Sequence, residues 1–385
     1  MKILVLTSIR SEYDLLSPLL FKLDADPTID LKLLVGGAHN SPTFGNTFKD
    51  IENDGFEVLC HIESLIDADS ESSRLKSASI LLLSMIDIVK SYNPDLLIYA
   101  GDREEVLVGG MLGGYLNIPT LHFFGGDHSS DGHIDNPVRH ATSKLSTCHM
   151  VSTQLHSDRL RAIGEPISRI FNIGSIALDK FVQAKPMGNV IAEISGKKID
   201  KKVALFIYHP IANEIGKENT IIKDAIAALV DSNYHVFIGS PNSDPGNSHV
   251  REAILQAADA NPNCTVYGNL PRDLFIGLFK GSSIIVGNSS AGILEAASIP
   301  IPCINIGERQ RGRYCGENVI FVDANYESII KAISIVNSVE FKRKIVNLKN
   351  PYGDGNSADK AYNLIKTIDF QQLINKKEDP LELQT

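Results

Sequence analysis

Acidic residues follow apolar runs at two places in the first half of the chain, each time in the company of glycine, histidine or arginine. The first is Gly101-Asp102-Arg103-Glu104, directly after the run Leu96–Ala100. Two readings of Asp102 stand: it points into a ligand cleft, or it caps the helix that starts near Glu104. The second is Phe123-Phe124-Gly125-Gly126-Asp127-His128, continued by Gly132-His133-Ile134-Asp135-Asn136-Pro137-Val138-Arg139-His140. Asp127, Asp135, three histidines and an arginine crowd one loop and one helical turn. Asp135 and Arg139 share a helix face, and as an isolated pair they read as a plain surface ion pair. Several carboxylates beside a carbon acid suit proton abstraction, because burial and mutual repulsion raise a carboxyl pKa toward neutrality. No HExxH or similar ligand spacing occurs, so no metal is expected.

Anion-binding chemistry is the second theme. Thr7-Ser8-Ile9-Arg10-Ser11-Glu12-Tyr13 follows the first strand without a GxGxxG fingerprint. Arg10 either joins backbone N–H groups around an anion there or caps a surface loop. His209, in Tyr208-His209-Pro210, contacts a diphosphate or sits in the core against a carbonyl. Gly287-Asn288-Ser289-Ser290-Ala291-Gly292-Ile293-Leu294-Glu295 is the strongest local feature. Small residues at a strand-to-helix turn open N–H groups to a phosphate, and Ser289 and Ser290 add hydroxyl donors. A Ser-rich helix cap accounts for Ser289 but not for the whole string. Glu295, about one turn into the helix, reaches toward a ribose diol. Three arginines follow the next strand in Gly307-Glu308-Arg309-Gln310-Arg311-Gly312-Arg313, a nucleotide-anion signal in an acidic protein.

Positioning these residues requires alternating strands and helices. Ile3–Leu6, Leu31–Val35, Leu96–Ala100, Thr120–Phe124, Cys148–Ser152 and Ile170–Asn172 read as strands. Helical patterns near 14–23, 43–54, 72–91, 104–116 and 138–144 separate them. The rhythm restarts at Val203–Tyr208 and runs on to Cys303–Ile306. Apolar strands covered by helices imply parallel sheets buried on both faces. The predicted fold class is α/β, with two Rossmann-like doubly wound domains facing a central cleft. The first domain is expected over 1–180, the second over 181–368, and a polar tail over 369–385 that frays from Lys376, with the linker within 183–202. The length of 385 residues fits two cores.

A formal charge of −9, from 37 basic against 46 acidic residues, disfavours nonspecific nucleic-acid or anionic-membrane binding. Five scattered cysteines without CxxC spacing point away from a disulfide framework and a zinc site. Met1–Thr7 reads as a buried strand rather than a signal peptide, and a cytoplasmic protein is expected.

Taken in order, these motifs resemble the UDP-N-acetylglucosamine 2-epimerases, hydrolysing and non-hydrolysing. The resemblance rests on Ser8 to Tyr13, Ala100 to Arg103, Gly125 to Asp127, Ile134-Asp135 through His140, His209-Pro210, Gly287 through Glu295, Arg309 to Arg313, and Gly316-Glu317-Asn318-Val319. It covers roughly residues 1 to 365. The Asn-Ser-Ser-x-Gly and Arg-Gln-x-Gly-Arg strings look more like the hydrolysing branch, which supplies mannosamine-type sugars for sialic or legionaminic acid synthesis. Leu15 stands where the non-hydrolysing branch keeps a Lys. Phe124 stands where the family often has Glu, or His in some members.

The resemblance implies a glycosyltransferase-B-like fold, no metal or other cofactor, and a homodimer or homotetramer. It also implies anti elimination of UDP, followed by water addition with inversion at carbon 2. Asp102, Asp127 and Asp135 would share the acid–base work, Arg139 would orient the acids, and His209 would join the catalytic set by steadying the departing diphosphate. UDP would be held by Arg10, His209, Asn242, Ser289, Ser290, Glu295 and Arg313. UDP-N-acetylglucosamine is the expected substrate, with UDP-N,N'-diacetylbacillosamine as the alternative. A glycosyltransferase on the same fold, and a UDP-sugar sensor without turnover, are the more distant readings.

Overall fold

The computed structural model describes residues 1–381 other than 69, 130–133, 186–187, 212–213, 215, 242–245 and 269. Contacts divide the chain into two compact units, one from Met1–His128, Gly132–Lys180 and Tyr352–Thr385, the other chiefly from Phe181–Pro351.

In the first unit, β1 (Lys2–Thr7), β2 (Asp30–Val35), β3 (Val58–His61), β4 (Leu96–Ala100), β5 (Thr120–Phe123), β6 (Cys148–Val151) and β7 (Ile170–Asn172) form one sheet. All pair in parallel, in the order β3-β2-β1-β4-β5-β6-β7. Both faces are buried, as the unbroken apolar runs require. Ile3 and Val5 point to one face and Leu4 and Leu6 to the other, following the two-residue strand period. The crossovers are α1 (Arg10–Asp24), α2 (Phe48–Asp54), α3 (Glu71–Tyr92), α4 (Glu104–Leu116), α5 (Asp135–Leu145) and α6 (Gln154–Ala162). Asn93, in the left-handed region at φ 51°, ends α3 just before Pro94, which could not continue it.

After α7 (Ala177–Gln183) and α8 (Val190–Ser195), the second unit repeats the plan. Its strands are β8 (Lys202–Ile207), β9 (Tyr234–Gly239), β10 (Cys264–Tyr267), β11 (Ile284–Gly287), β12 (Cys303–Ile306) and β13 (Val319–Val322). They pair in parallel, in the order β10-β9-β8-β11-β12-β13. Helices α9 (Glu218–Asp231), α10 (Asn247–Asp259), α11 (Arg272–Gly281), α12 (Ala291–Leu294), α13 (Tyr326–Asn337) and α14 (Val339–Ile345) cover it. The stretch expected as linker is not featureless: Val190 of α8 is buried in this unit's core.

The expected second boundary at 368 is corrected. From Tyr352 the chain returns to the first unit as α15 (Ser357–Thr367) and α16 (Phe370–Leu373). Fully buried Asp179 supplies the reason, accepting from Ser357 N at 3.0 Å and Ala358 N at 2.6 Å and so capping α15. Ala358, Ala361, Ile365 and Phe370 then complete the core around α1.

The polar tail is not frayed where it follows α16. Buried Arg169 donates to the carbonyls of Leu373 and Asn375 and pairs with Glu378 at 3.2 Å. Lys376 reaches Glu165 at 2.6 Å, and that carboxylate also meets His149 and Lys144, each at 2.8 Å. Burial alone would raise the Glu165 pKa, but His149, Lys376 and Lys144 hold it down to about 2.

In each sheet the order of connection reverses once, between β1 and β4 and between β8 and β11. Ligand sites of open parallel sheets lie at the carboxyl ends of the strands flanking such a reversal. Arg10 and Asp102 follow the first pair; His209 and Ser289 follow the second.

Candidate active site

At the first switch point β4 ends on Ala100, and Gly101 turns the chain at φ 108° toward Asp102. Asp102 does not cap α4: the N-cap is Arg103, without a side-chain cap bond. Instead its carboxylate receives the Arg139 guanidinium from α5. A second nitrogen of Arg139 donates to the Asp127 carbonyl at 2.8 Å. Arg139 is 4% exposed, which corrects the reading of a surface pair with Asp135. One buried cation thus fixes Asp102 and the backbone of Asp127 together, and charge-assisted bonds of this kind are the strong ones. Asp127 itself is buried, accepts from His128 N at 2.8 Å and lies 3.4 Å from His156 Nε2. Phe124, just upstream, adopts φ 67°, a rare and strained setting for an aromatic residue.

Asp135 opens α5 and lies 4.0 Å from Arg74 of α3. Arg74 clamps Glu104 with two bonds, at 3.0 and 2.6 Å. Arg10, the first residue of α1, stands 3.8 Å from Asp50.

Two carboxyls not singled out from the sequence occupy the same strand ends. Glu12 reaches back from the first turn of α1 and accepts from Ser8 N, one residue before the N-cap Ile9, at 3.2 Å. Burial first, and the neighbouring Glu105 second, push its pKa up to about 8. Glu105, in the first turn of α4, is raised by burial against the opposing pull of Arg103. Carboxyls with raised pKa are therefore present, though at positions that only the adjacency of β1 and β4 brings together.

The second unit builds a separate network. Gly287 sits at φ 130°, where a Cβ would lie 2.0 Å from the Ile207 carbonyl, so no other residue fits this close crossing of β11 and β8. Asn288 follows, fully buried, and binds both backbone groups of His209: His209 N donates to its Oδ1 at 2.7 Å and its Nδ2 donates to His209 O at 2.8 Å. The Asn288 carbonyl accepts from Arg309 at 3.3 Å and Gln310 at 3.1 Å. Gln310 in turn accepts from Arg313 at 2.7 Å. His209, Ser289, Ser290 and Arg313 are thereby carried on one connected set of turns.

Ser289 Oγ accepts from Ala291 N at 3.3 Å, while Ser290 takes the N-cap position of α12 without a cap bond. Glu295 is not one turn inside a continuing helix: α12 stops at Leu294, and Glu295 is buried and ion-paired with Arg272. Arg272 carried no signal in the sequence, because its partner lies 23 positions away. Asn242 falls outside the described residues.

Asp102, Asp127, Asp135, Arg139 and Arg10 therefore belong to the first unit, and His209, Ser289, Ser290, Glu295 and Arg313 to the second. Among the described residues no group of three His, Cys, Asp or Glu side chains could hold a metal ion. No helix among them is long and apolar enough to cross a membrane.

The family model described as UDP-N-acetylglucosamine 2-epimerase matches residues 21–366. A UDP-N,N'-diacetylbacillosamine 2-epimerase (hydrolyzing) of Legionella pneumophila is 35% identical, with 97% of this chain and 98% of the relative covered. A GDP/UDP-N,N'-diacetylbacillosamine 2-epimerase (hydrolyzing) of Campylobacter jejuni is 31% identical over 89% of each chain. The crystal structure of a UDP-GlcNAc 2-epimerase from Neisseria meningitidis superposes with a TM-score of 0.83 at 19% identity, covering 96% of this chain and 100% of the other. The match over most of the length places the chain in the UDP-N-acetylglucosamine 2-epimerase family, two of whose matched members are named as hydrolyzing.

Proposed function

We propose that the protein hydrolyses a UDP-linked 2-acetamido sugar with inversion at carbon 2. A carboxylate removes the proton from carbon 2 as UDP departs from carbon 1, leaving a 2-acetamidoglycal. Water then adds across the double bond, its oxygen to carbon 1 and a proton to the opposite face of carbon 2. Proton transfer to and from a weak carbon acid needs carboxylates aimed at it, and UDP departure needs its diphosphate neutralised.

The observation carrying this reading is that Arg139 binds the Asp102 carboxylate and the Asp127 carbonyl at once. Asp102, Asp127 and Asp135 are the acid–base candidates. Ser289, Ser290, Arg313 and His209 are assigned to the diphosphate and ribose, and Arg10 to the diphosphate. Asn242 belongs to the same assignment. Glu295, already paired with Arg272, offers its second oxygen to the ribose.

UDP-N-acetylglucosamine, with N-acetylmannosamine as product, is one substrate reading. The names of the Legionella and Campylobacter relatives favour the other, UDP-N,N'-diacetylbacillosamine. A relative from Neisseria meningitidis named UDP-N-acetylglucosamine 2-epimerase is 28% identical. Phe124, apolar where polar residues are common, suits the 6-methyl group of the bacillosamine sugar. The proposal includes a homo-oligomer in the cytoplasm, checked by light scattering and cell fractionation. Rates of UDP release from the two substrates, without any acceptor, test the function: release from one or both supports it, and release only on adding an acceptor identifies a glycosyltransferase.

A further inference from the structure

His122 lies on β5, without exposure to solvent. Its neighbours across the strands are Tyr99 of β4 and His149 of β6, with ring centroids 5.6 and 6.4 Å away. Both ring nitrogens have partners. Nε2 stands 2.9 Å from the Gly101 carbonyl and Nδ1 3.1 Å from the Ser143 hydroxyl. Burial drives the ring's pKa down to about 3, against the pull of the Gly101 carbonyl, so the imidazole is neutral. A neutral ring has one hydrogen, and a carbonyl can only accept. Nε2 therefore donates to Gly101, and Nδ1 accepts from Ser143, a tautomer assigned from the partners.

These two partners lead to the two residues of the central ion pair. The Gly101 carbonyl belongs to the peptide that joins Gly101 to Asp102, and Gly101 is held at φ 108°. Fixing that carbonyl fixes the direction in which Asp102 leaves the turn. Ser143 lies one helical turn beyond Arg139 on α5. Its single hydroxyl hydrogen serves either His122 Nδ1 or the Arg139 carbonyl 3.0 Å away, and in the tautomer assigned here it serves Nδ1, so Ser143 is tied to Arg139 through the helix backbone. One imidazole thus ties the backbone that carries Asp102 to the helix that carries Arg139.

We propose that His122 is a positioning residue for the reaction, setting Asp102 and Arg139 in register through Gly101 and Ser143. The inference rests on the reading of Asp102 as an acid–base residue. Displacement of a catalytic group by about 1 Å costs on the order of 100-fold in rate, which sets the expected size of the effect.

The test compares three variants by turnover, UDP affinity and melting. His122→Gln can place its amide nitrogen where Nε2 was, and should keep kcat within about fivefold of the parent. His122→Asn reaches only the Nδ1 position, and His122→Phe keeps the ring without either bond; both should lose about 30- to 100-fold in kcat with little change in KM or UDP affinity. The double variant D102N/H122F should be no slower than D102N alone, because His122 acts through Asp102. Additive losses in that cycle, or equal kcat in His122→Gln and His122→Asn, would overturn the proposal, and the latter comparison stands even if His122→Phe does not fold. An Asp102→Asn variant with full turnover sinks the reaction reading instead. In that case an unmoved Asp102–Arg139 pair in the crystal structure of H122N would still decide against positioning.

Discussion

Arg139 and Asp102 meet as a largely buried ion pair between α5 and the end of β4, with 5% of the Arg139 side chain exposed. Asp102→Asn should lower kcat by about 10²- to 10⁴-fold, the usual worth of a positioned acid or base. Arg139→Lys should lose about tenfold or more, since a lysine cannot serve Asp102 and the Asp127 carbonyl in one planar fork. Steady-state kinetics on folded variants checks both; an Asp102→Asn enzyme at parental speed contradicts the assignment.

UDP affinity should depend on Asn288 although its side chain is spent on the protein. Asn288→Ala frees both backbone groups of His209, and calorimetry should record roughly tenfold weaker UDP binding, about 1.4 kcal/mol. Unchanged affinity would mean that His209 and its turn are not part of the nucleotide site.

Stability should carry a pH signature from Glu12. Its folded pKa, about 8, lies above the ordinary value of 4.5. The folded state therefore holds a proton that the unfolded chain releases. That contribution is full below about pH 4.5 and is lost as pH rises toward 8. Glu12→Gln should melt at a higher temperature than the parent at pH 8.5, with the gap closing at pH 5. A gap that widens toward pH 5 would contradict the assignment.

Removal of residues 370–385 should destabilise the first unit by about 3–5 kcal/mol, because Arg169 is left buried without most of its partners. Urea unfolding gives the measurement. A truncated chain as stable as the whole would show that the tail contacts contribute nothing.

The tail also shows where reading the sequence stops. Its composition is polar, and the arginine that docks it lies 204 positions earlier than Leu373, so no local pattern announces the contact. β4 was legible because an apolar run lies between Pro94 and Gly101. β3 was not: its residues are half-buried or exposed at the sheet edge, where alternation is weak, and its pairing shifts register at Leu33/Leu34. Asp102, Asp127 and Arg139 stood out because acids and glycines after a strand are unusual. Glu12, Glu105 and His122 look ordinary in sequence, and their importance arises from which strands lie side by side.

The central claim is inversion at carbon 2 through elimination and hydration. Proton NMR in D₂O, with UDP-N,N'-diacetylbacillosamine and UDP-N-acetylglucosamine as substrates, tests it most directly. The account predicts UDP release together with a free 2-epimeric sugar that carries deuterium at carbon 2. A free sugar that keeps its carbon-2 proton and configuration, or a UDP-sugar epimer without UDP release, would contradict it.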